Sequence, residues 1–120
     1  MRNMSFALTT AQLMAGTKTV TRRIGWRHLK PGDRVMAVQK SQGLKKGEKI
    51  KPLCIIRVVS VRREPLSAIR DSGDGYADTE MAAEGFAEWF PESFVCMFCA
   101  ANRCAPDTEI TRIEFEKVEP

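Results

Sequence analysis

The run Leu53-Cys54-Ile55-Ile56-Arg57-Val58-Val59-Ser60-Val61-Arg62 constrains the fold of this chain more than any other segment. Isoleucine and valine are stiff at χ1 and suit a pleated, half-buried surface, and Pro52 and Pro65 bound the run, so it reads as the longest strand. Its uninterrupted apolar stretches, Leu53 to Ile56 and Val58-Val59, fall far short of the roughly 20 residues that a membrane span requires. No transmembrane segment is expected. With 120 residues, 43% of them apolar and 28% charged, the chain has enough hydrophobic material for one domain, 1–120, with its own core.

Around this strand the signals follow a simple order. Residues 4–8 read as a short strand, and Thr9 or Thr10 caps a brief helix to Ala15 that Gly16 stops. Residues 18–22 are extended, and the Pro31-Gly32-Asp33 turn leads into a strand over 34–39. A lysine- and glycine-rich loop fills 40–49, and a helical turn at 65–70 precedes a loop at 71–75. Asp78 or Thr79 is expected to cap a helix reaching about Phe90, with Met81, Gly85 or Phe86, and Trp89 as its apolar stripe. A second helix over 92–102, opened by Pro91, buries Phe94, Met97, Phe98 and Ala101. The final strand, 109–118, puts Ile113 and Phe115 on one face and Glu114 and Glu116 on the other. This order predicts a small α+β domain on an antiparallel or barrel-like sheet rather than a doubly wound parallel one. Glu80, Glu84 and Glu88 recur at i, i+4 spacing, where like charges repel by a few tenths of a kcal/mol per pair. At least one of them is expected to have a partner elsewhere.

Charge is divided along the chain. Residues 1–63 hold 15 Lys and Arg against two acids, whereas residues 64–120 hold four against 13. If the basic half folds onto one face it offers a positive surface to polyanions, and if the halves interleave they neutralise each other. The first residues contain no apolar core ahead of a small-residue cleavage site, so a cytoplasmic location is expected and disulfides are not. Cys96-x-x-Cys99 with Cys104 resembles the start of a zinc site, for which Cys54 or His28 is the available fourth ligand. The paired spacing does not repeat, and residues 94–100 read as a buried helix, so the cysteines are taken as core residues and no metal is expected. Phosphate-loop, dinucleotide and zincin motifs do not occur, and the single histidine, His28, lies beside Arg27 and Lys30 as a surface residue.

Gly16-Thr17-Lys18-Thr19-Val20-Thr21-Arg22-Arg23, the Leu29-Lys30-Pro31-Gly32-Asp33 turn, the valine-rich strand, Glu84-Gly85-Phe86 and Thr111-Arg112-Ile113-Glu114-Phe115 together carry a family likeness. The chain resembles the ASCH domains of the PUA-like superfamily, small and mostly antiparallel β-barrels with flanking short helices, associated with RNA and modified nucleosides. The resemblance implies binding of RNA or a modified nucleoside through a basic cleft, although one fold hosts many functions. It implies an alternative as well. Short ASCH amidohydrolases remove the acetyl group of 4-acetylcytidine with a lysine, a threonine three residues on and a glutamate from a later helix, and Lys18, Thr21 and Glu84 stand at those positions. Such a trio makes chemical sense, because a lysine of depressed pKa can take the proton of an attacking hydroxyl. In a regular strand residues 18 and 21 face opposite sides, so their convergence requires a bend or bulge. The loop at 40–51, the acidic loop at 71–78 and the helix after Pro91 depart from the short amidohydrolases and are able to reshape a pocket.

Apart from the likeness, Arg22, Arg23 and Arg27, with Lys45, Lys46, Lys49 and Lys51 in the loop, form a set of cations suited to phosphate contacts. Trp26 either stacks on an unpaired base, a contact worth about 1–3 kcal/mol, or closes the sheet as a half-buried aromatic. No cofactor is implied, and the oligomeric state is left open.

Overall fold

The structure, a computed structural model, describes residues 1–41 and 43–118. Its elements are β1 (Asn3–Ser5), α1 (Thr10–Ala15), β2 (Val20–Arg23), β3 (Arg34–Val38), β4 (Pro52–Pro65), α2 (Ala68–Asp71), α3 (Asp74–Glu84), α4 (Pro91–Asn102) and β5 (Glu109–Lys117). They form an α+β domain with one five-stranded sheet in the order β1-β3-β4-β5-β2. The β1–β3 pair is parallel and the other three are antiparallel. The isoleucine- and valine-rich run is the long β4, which spans the interval between its two prolines and carries a register shift between Val58 and Ser60.

The expected barrel does not close. Among the described residues no ladder joins the edge strands β1 and β2. The reason is local: β1 has only three residues, and after Phe6 N–H bonds to Val38 O the chain turns into α1 and leaves the sheet. A side chain spans the opening instead, with Arg23 Nη2 of β2 donating to Ser5 O of β1 at 2.6 Å.

Two apolar clusters hold the layers together. Met4, Phe6, Leu13, Val35, Ile56, Val58, Ile113 and Phe115 pack one face of the sheet, where Phe6 and Phe115 meet edge to face at 5.7 Å. Leu66, Ile69, Met81, Phe86, Phe94, Val95, Phe98 and Ile110 form the second, beneath the three later helices. On α4 Val95 takes an inner position and Ala101 is exposed, which rotates the buried stripe slightly from the one expected. At β5 Ile113 and Phe115 are buried while Glu114 and Glu116 are more exposed, as expected, and Arg112 on the latter face is buried where it pairs with Glu80 of α3.

The third helix departs furthest from expectation. It begins at Asp74 and stops at Glu84, since Gly85 adopts φ 92° and the left-handed cap. Phe86 N–H bonds back to Met81 O at 2.9 Å, and both side chains enter the second cluster, so a hydrophobic contact seals the helix end. Glu88 and Trp89 therefore lie beyond the helix, both exposed, and the three glutamates do not form one ridge. The cysteines are not the fully buried core residues expected: Cys96 on α4 is exposed, and Cys54 on β4, Cys99 on α4 and Cys104 just beyond it are half-buried, because the buried stripe of α4 runs through Phe94, Val95 and Phe98 instead. Among the described residues no group of three or more His, Cys, Asp and Glu is placed to hold a metal ion, and no helix is long and apolar enough to cross a membrane.

Gly85 serves two constraints at once, because a Cβ there would lie 3.2 Å from Gln12 Cβ and Cγ and would also meet the positive φ. Gly85→Ala is expected to cost about 1–2 kcal/mol for the left-handed backbone, with a further loss from the contact. A lowered urea midpoint at unchanged m-value checks this, and an unchanged midpoint contradicts it.

Candidate functional site

Lys18 reaches its place through the turn that ends α1. Gly16 turns left-handed, Thr17 and Lys18 both donate backbone N–H groups to Gln12 O, and Thr19 N–H then bonds to Ala83 O at 2.8 Å. Strand β2 starts only at Val20, so Lys18 precedes the alternation and approaches the end of α3. This resolves the facing problem between positions 18 and 21 without a bulge in β2. Lys18 Nζ donates to Glu84 Oε1 at 2.8 Å and to the Glu84 carbonyl at 2.6 Å, with both side chains only 3% exposed. Burial pulls the Lys18 pKa below its ordinary value, helped by Arg23 and Arg22, while Glu84 opposes the shift.

Lys18, Thr21, Arg23 and Glu84 border one recess of about 240 Å³. Its walls also include Arg22, the chain from Ser5 to Thr9, and a largely apolar side built of Phe86, Phe94, Met97 and Phe98 and closed by Ala101 and Asn102. Thr21 Oγ1 accepts from Arg23 Nε at 3.0 Å, and among the described residues it has no hydrogen bond with Lys18. The half-buried Arg23 guanidinium lies 4.9 Å over the Phe6 ring. Burial lowers its pKa to about 10, with Glu84 opposing, and it stays charged at neutral pH.

Behind the recess runs a buried chain of ion pairs. Arg22, with no side-chain exposure, donates from Nη1 to Glu84 Oε2 at 3.1 Å and from Nη2 to Glu80 Oε1 at 2.5 Å and Glu64 Oε2 at 3.3 Å. Arg112 grips Glu80 with Nε at 2.6 Å and Nη2 at 2.9 Å, a bidentate contact. Burial alone would raise the Glu80 carboxyl, yet hydrogen bonds from Arg112 and Arg22 hold it down at about 2. Tyr76 Oη donates to Glu64 at 2.8 Å and completes the chain. Arg22 Nε is buried and has no hydrogen-bond partner among the described residues.

The structure thus brings Lys18, Thr21, Arg22, Arg23 and Glu84 together at the recess and disperses Trp26, Arg27, Lys45 and Lys46. Arg22 is not a surface cation, because three carboxylates enclose it. Trp26, at φ 53°, packs half-buried against the first cluster, with Arg2 4.2 Å over its ring and His28 stacked at 5.8 Å, and it is absent from the recess lining. Arg27 is exposed and paired with Glu109 at 3.2 Å. Lys45 and Lys46 are exposed on the loop, one residue of which, Gln42, lies outside the described residues. Sequence reasoning did not find Glu80 and Arg112 as the supports of Glu84. The only available signal was the glutamate one helical turn before it.

No family model matches the chain, and neither does any curated protein. Solved structures do match. Hypothetical protein PH0355 superposes with a TM-score of 0.65 at 16% identity, covering 97% of both chains. An ASCH domain from Lactobacillus crispatus gives 0.61 at 16% identity, covering 97% of this chain and 78% of that one. A protein from Enterococcus faecalis of the family model DUF984 gives 0.58 at 21% identity over 91% of this chain. The present chain spans only 66% of that Enterococcus protein. The fold is accordingly of the ASCH type, with its sheet left open.

The ion-pair chain makes stability depend on pH in a defined direction. Glu80 has a folded pKa of about 2 against an ordinary 4.5, so the unfolded chain takes up its proton first. Its contribution is fully present above about pH 4.5 and is lost as pH falls toward 2. Glu80→Gln is expected to lower stability at pH 7 by roughly 3–5 kcal/mol, because it leaves buried arginines underpaired, and to flatten the decline in Tm over that window. Parallel melting curves of both proteins from pH 7 to pH 2 give the comparison, and parallel declines would contradict the assignment.

Proposed function

We propose that the recess between β2 and α4 binds a nucleobase-sized ligand, a modified nucleoside either free or within RNA. One observation carries this reading: Lys18, Thr21, Arg23 and Glu84 converge on a single hollow whose opposite wall is aromatic. Apolar walls with a few convergent polar groups suit a flat heterocycle, whose faces pack on rings while its edge exchanges hydrogen bonds. Donors and an acceptor stand side by side here, in Lys18 and Arg23 against the Glu84 carboxylate. The ASCH-type fold supports the same direction.

The Lys18–Glu84 contact favours a second reading, amide hydrolysis at that site. Thr21 Oγ1 would attack the acyl carbonyl of a 4-acylated cytosine while a neutral Lys18 amine takes the hydroxyl proton. The carbon–nitrogen bond breaks, the exocyclic 4-amine leaves with the proton returned through Lys18 or Glu84, and water hydrolyses the threonine ester to the free carboxylate, acetate for an acetyl group. Burial of Lys18 favours the neutral amine this needs. Thr21 Oγ1 accepts from Arg23, which leaves its own O–H to be turned toward Lys18 for the proton transfer.

Calorimetric titration with 4-acetylcytidine is expected to show one saturable site that Phe98→Ala and Lys18→Met weaken, with folding verified by circular dichroism. Labelled single-stranded RNA is expected to bind at low salt and to be released as salt rises. Absence of both forms of binding contradicts the proposal. For hydrolysis, chromatography is expected to detect cytidine from 4-acetylcytidine, with turnover abolished by Lys18→Met and Glu84→Gln. The rate should rise with pH through a midpoint below the ordinary lysine value, as the depressed Lys18 pKa requires. Tight binding without product leaves the site a binding site alone.

A further inference from the structure

Among the described residues that border the recess, Arg23 is the cation that forms no ion pair, although Glu84 lies near enough to act on it through its charge. Its hydrogen bonds end on neutral acceptors, Thr21 Oγ1 at 3.0 Å and Ser5 O at 2.6 Å, and among the described residues no carboxylate forms an ion pair with it. Its neighbours Lys18 and Arg22 both have carboxylate partners. A half-buried guanidinium without an anion is a costly arrangement that an anionic ligand relieves.

A second groove adjoins the recess at the same place. It has a volume of about 310 Å³ and is lined by Lys40, Lys49 and Lys51, with Glu48 as its one acid. Ala7 borders both hollows. The base of the lysine loop is tied to the strand that Arg23 grips, since Ser5 Oγ donates to Gln39 O at 3.2 Å and Gln39 N–H donates to Lys51 O at 3.0 Å. Lys40 is partly neutralised by Glu48 at 3.7 Å, while Lys49 and Lys51 are exposed and form no ion pair among the described residues. Ala7 therefore stands between the recess that Arg23 borders and a groove whose charged lining is mainly lysine.

We infer that the natural ligand carries a phosphate, with the base in the recess and the phosphate between Arg23 and the groove of Lys40, Lys49 and Lys51. This rests on the recess being the base site. A phosphate monoester brings a charge of about −2 near neutral pH and several strong acceptor oxygens, which supply what Arg23 lacks. A free nucleotide and a nucleotide within a strand share this chemistry.

The test compares 4-acetylcytidine, its 5′-monophosphate and a trinucleotide with the same base in the middle, titrated into the full chain at two salt concentrations. The monophosphate is expected to bind about tenfold more tightly than the nucleoside at low salt, and the ratio should shrink as salt rises. In the surface double variant Lys49→Gln/Lys51→Gln the ratio should fall toward one, and Arg23→Met should reduce it as well. A trinucleotide with higher affinity and a steeper salt dependence than the monophosphate identifies a strand as the source, while equal behaviour identifies a free nucleotide. Nucleoside binding with no gain from phosphate overturns this inference and leaves the recess assignment standing. Failure of all three probes to bind overturns both.

Discussion

A guanidinium sealed from solvent organises this molecule. Arg22 projects from the edge strand β2 and is met by Glu64 of β4 and by Glu80 and Glu84 of α3, while Arg112 of β5 neutralises Glu80 from the sheet side. Buried pairs of this kind contribute little net stability compared with an apolar core of equal volume, but removal of one partner leaves a charge that water cannot reach. What the network does supply is position. It fixes α3 at one rotation and height over the sheet, and so fixes Glu84, to which the Lys18 amine is bound.

The opening in the sheet and the candidate site are the same feature. Because β1 ends after three residues, the backbone of the following segment, from Phe6 to Thr9, becomes one wall of a hollow rather than another ladder. Strand β2 supplies the facing wall with Thr21 and Arg23, and α4 covers the hollow with Phe94 and Phe98. A closed barrel would place backbone hydrogen bonds where the recess now stands. The Arg23–Ser5 contact bridges the two edges without filling the space between them.

The charge division along the chain resolves into two distinct uses. Part of the basic half is consumed inside the fold, where Lys18 and Arg22 meet Glu84 and Glu80. The lysine loop keeps most of its charge on the surface. The two halves therefore interleave where the cations are buried, while the loop lysines stay exposed, and the dividing line is burial. Arg22 and Arg23 are adjacent in sequence, alike in chemistry and both at the recess, yet Arg22 is locked among carboxylates while Arg23 donates to neutral acceptors.

Much of the architecture was legible locally. Valine and isoleucine between two prolines marked β4, Gly16 marked the end of α1, and Pro91 marked the start of α4, because each signal acts through the backbone of its own segment. The resemblance singled out Lys18, Thr21 and Glu84, and the fold gathers them around one hollow. Other features depended on contacts between residues distant in the chain. The stop at Gly85 required the Met81–Phe86 contact, the burial of Arg22 required three glutamates from two other elements, and the covering of Trp26 required Arg2 and His28. The amino-acid sequence by itself determined which segments extend or coil, since dihedral preference and side-chain period are properties of neighbours. Only the tertiary structure decided which charges face a ligand and which face one another, because desolvation and pairing depend on what packs across the gap.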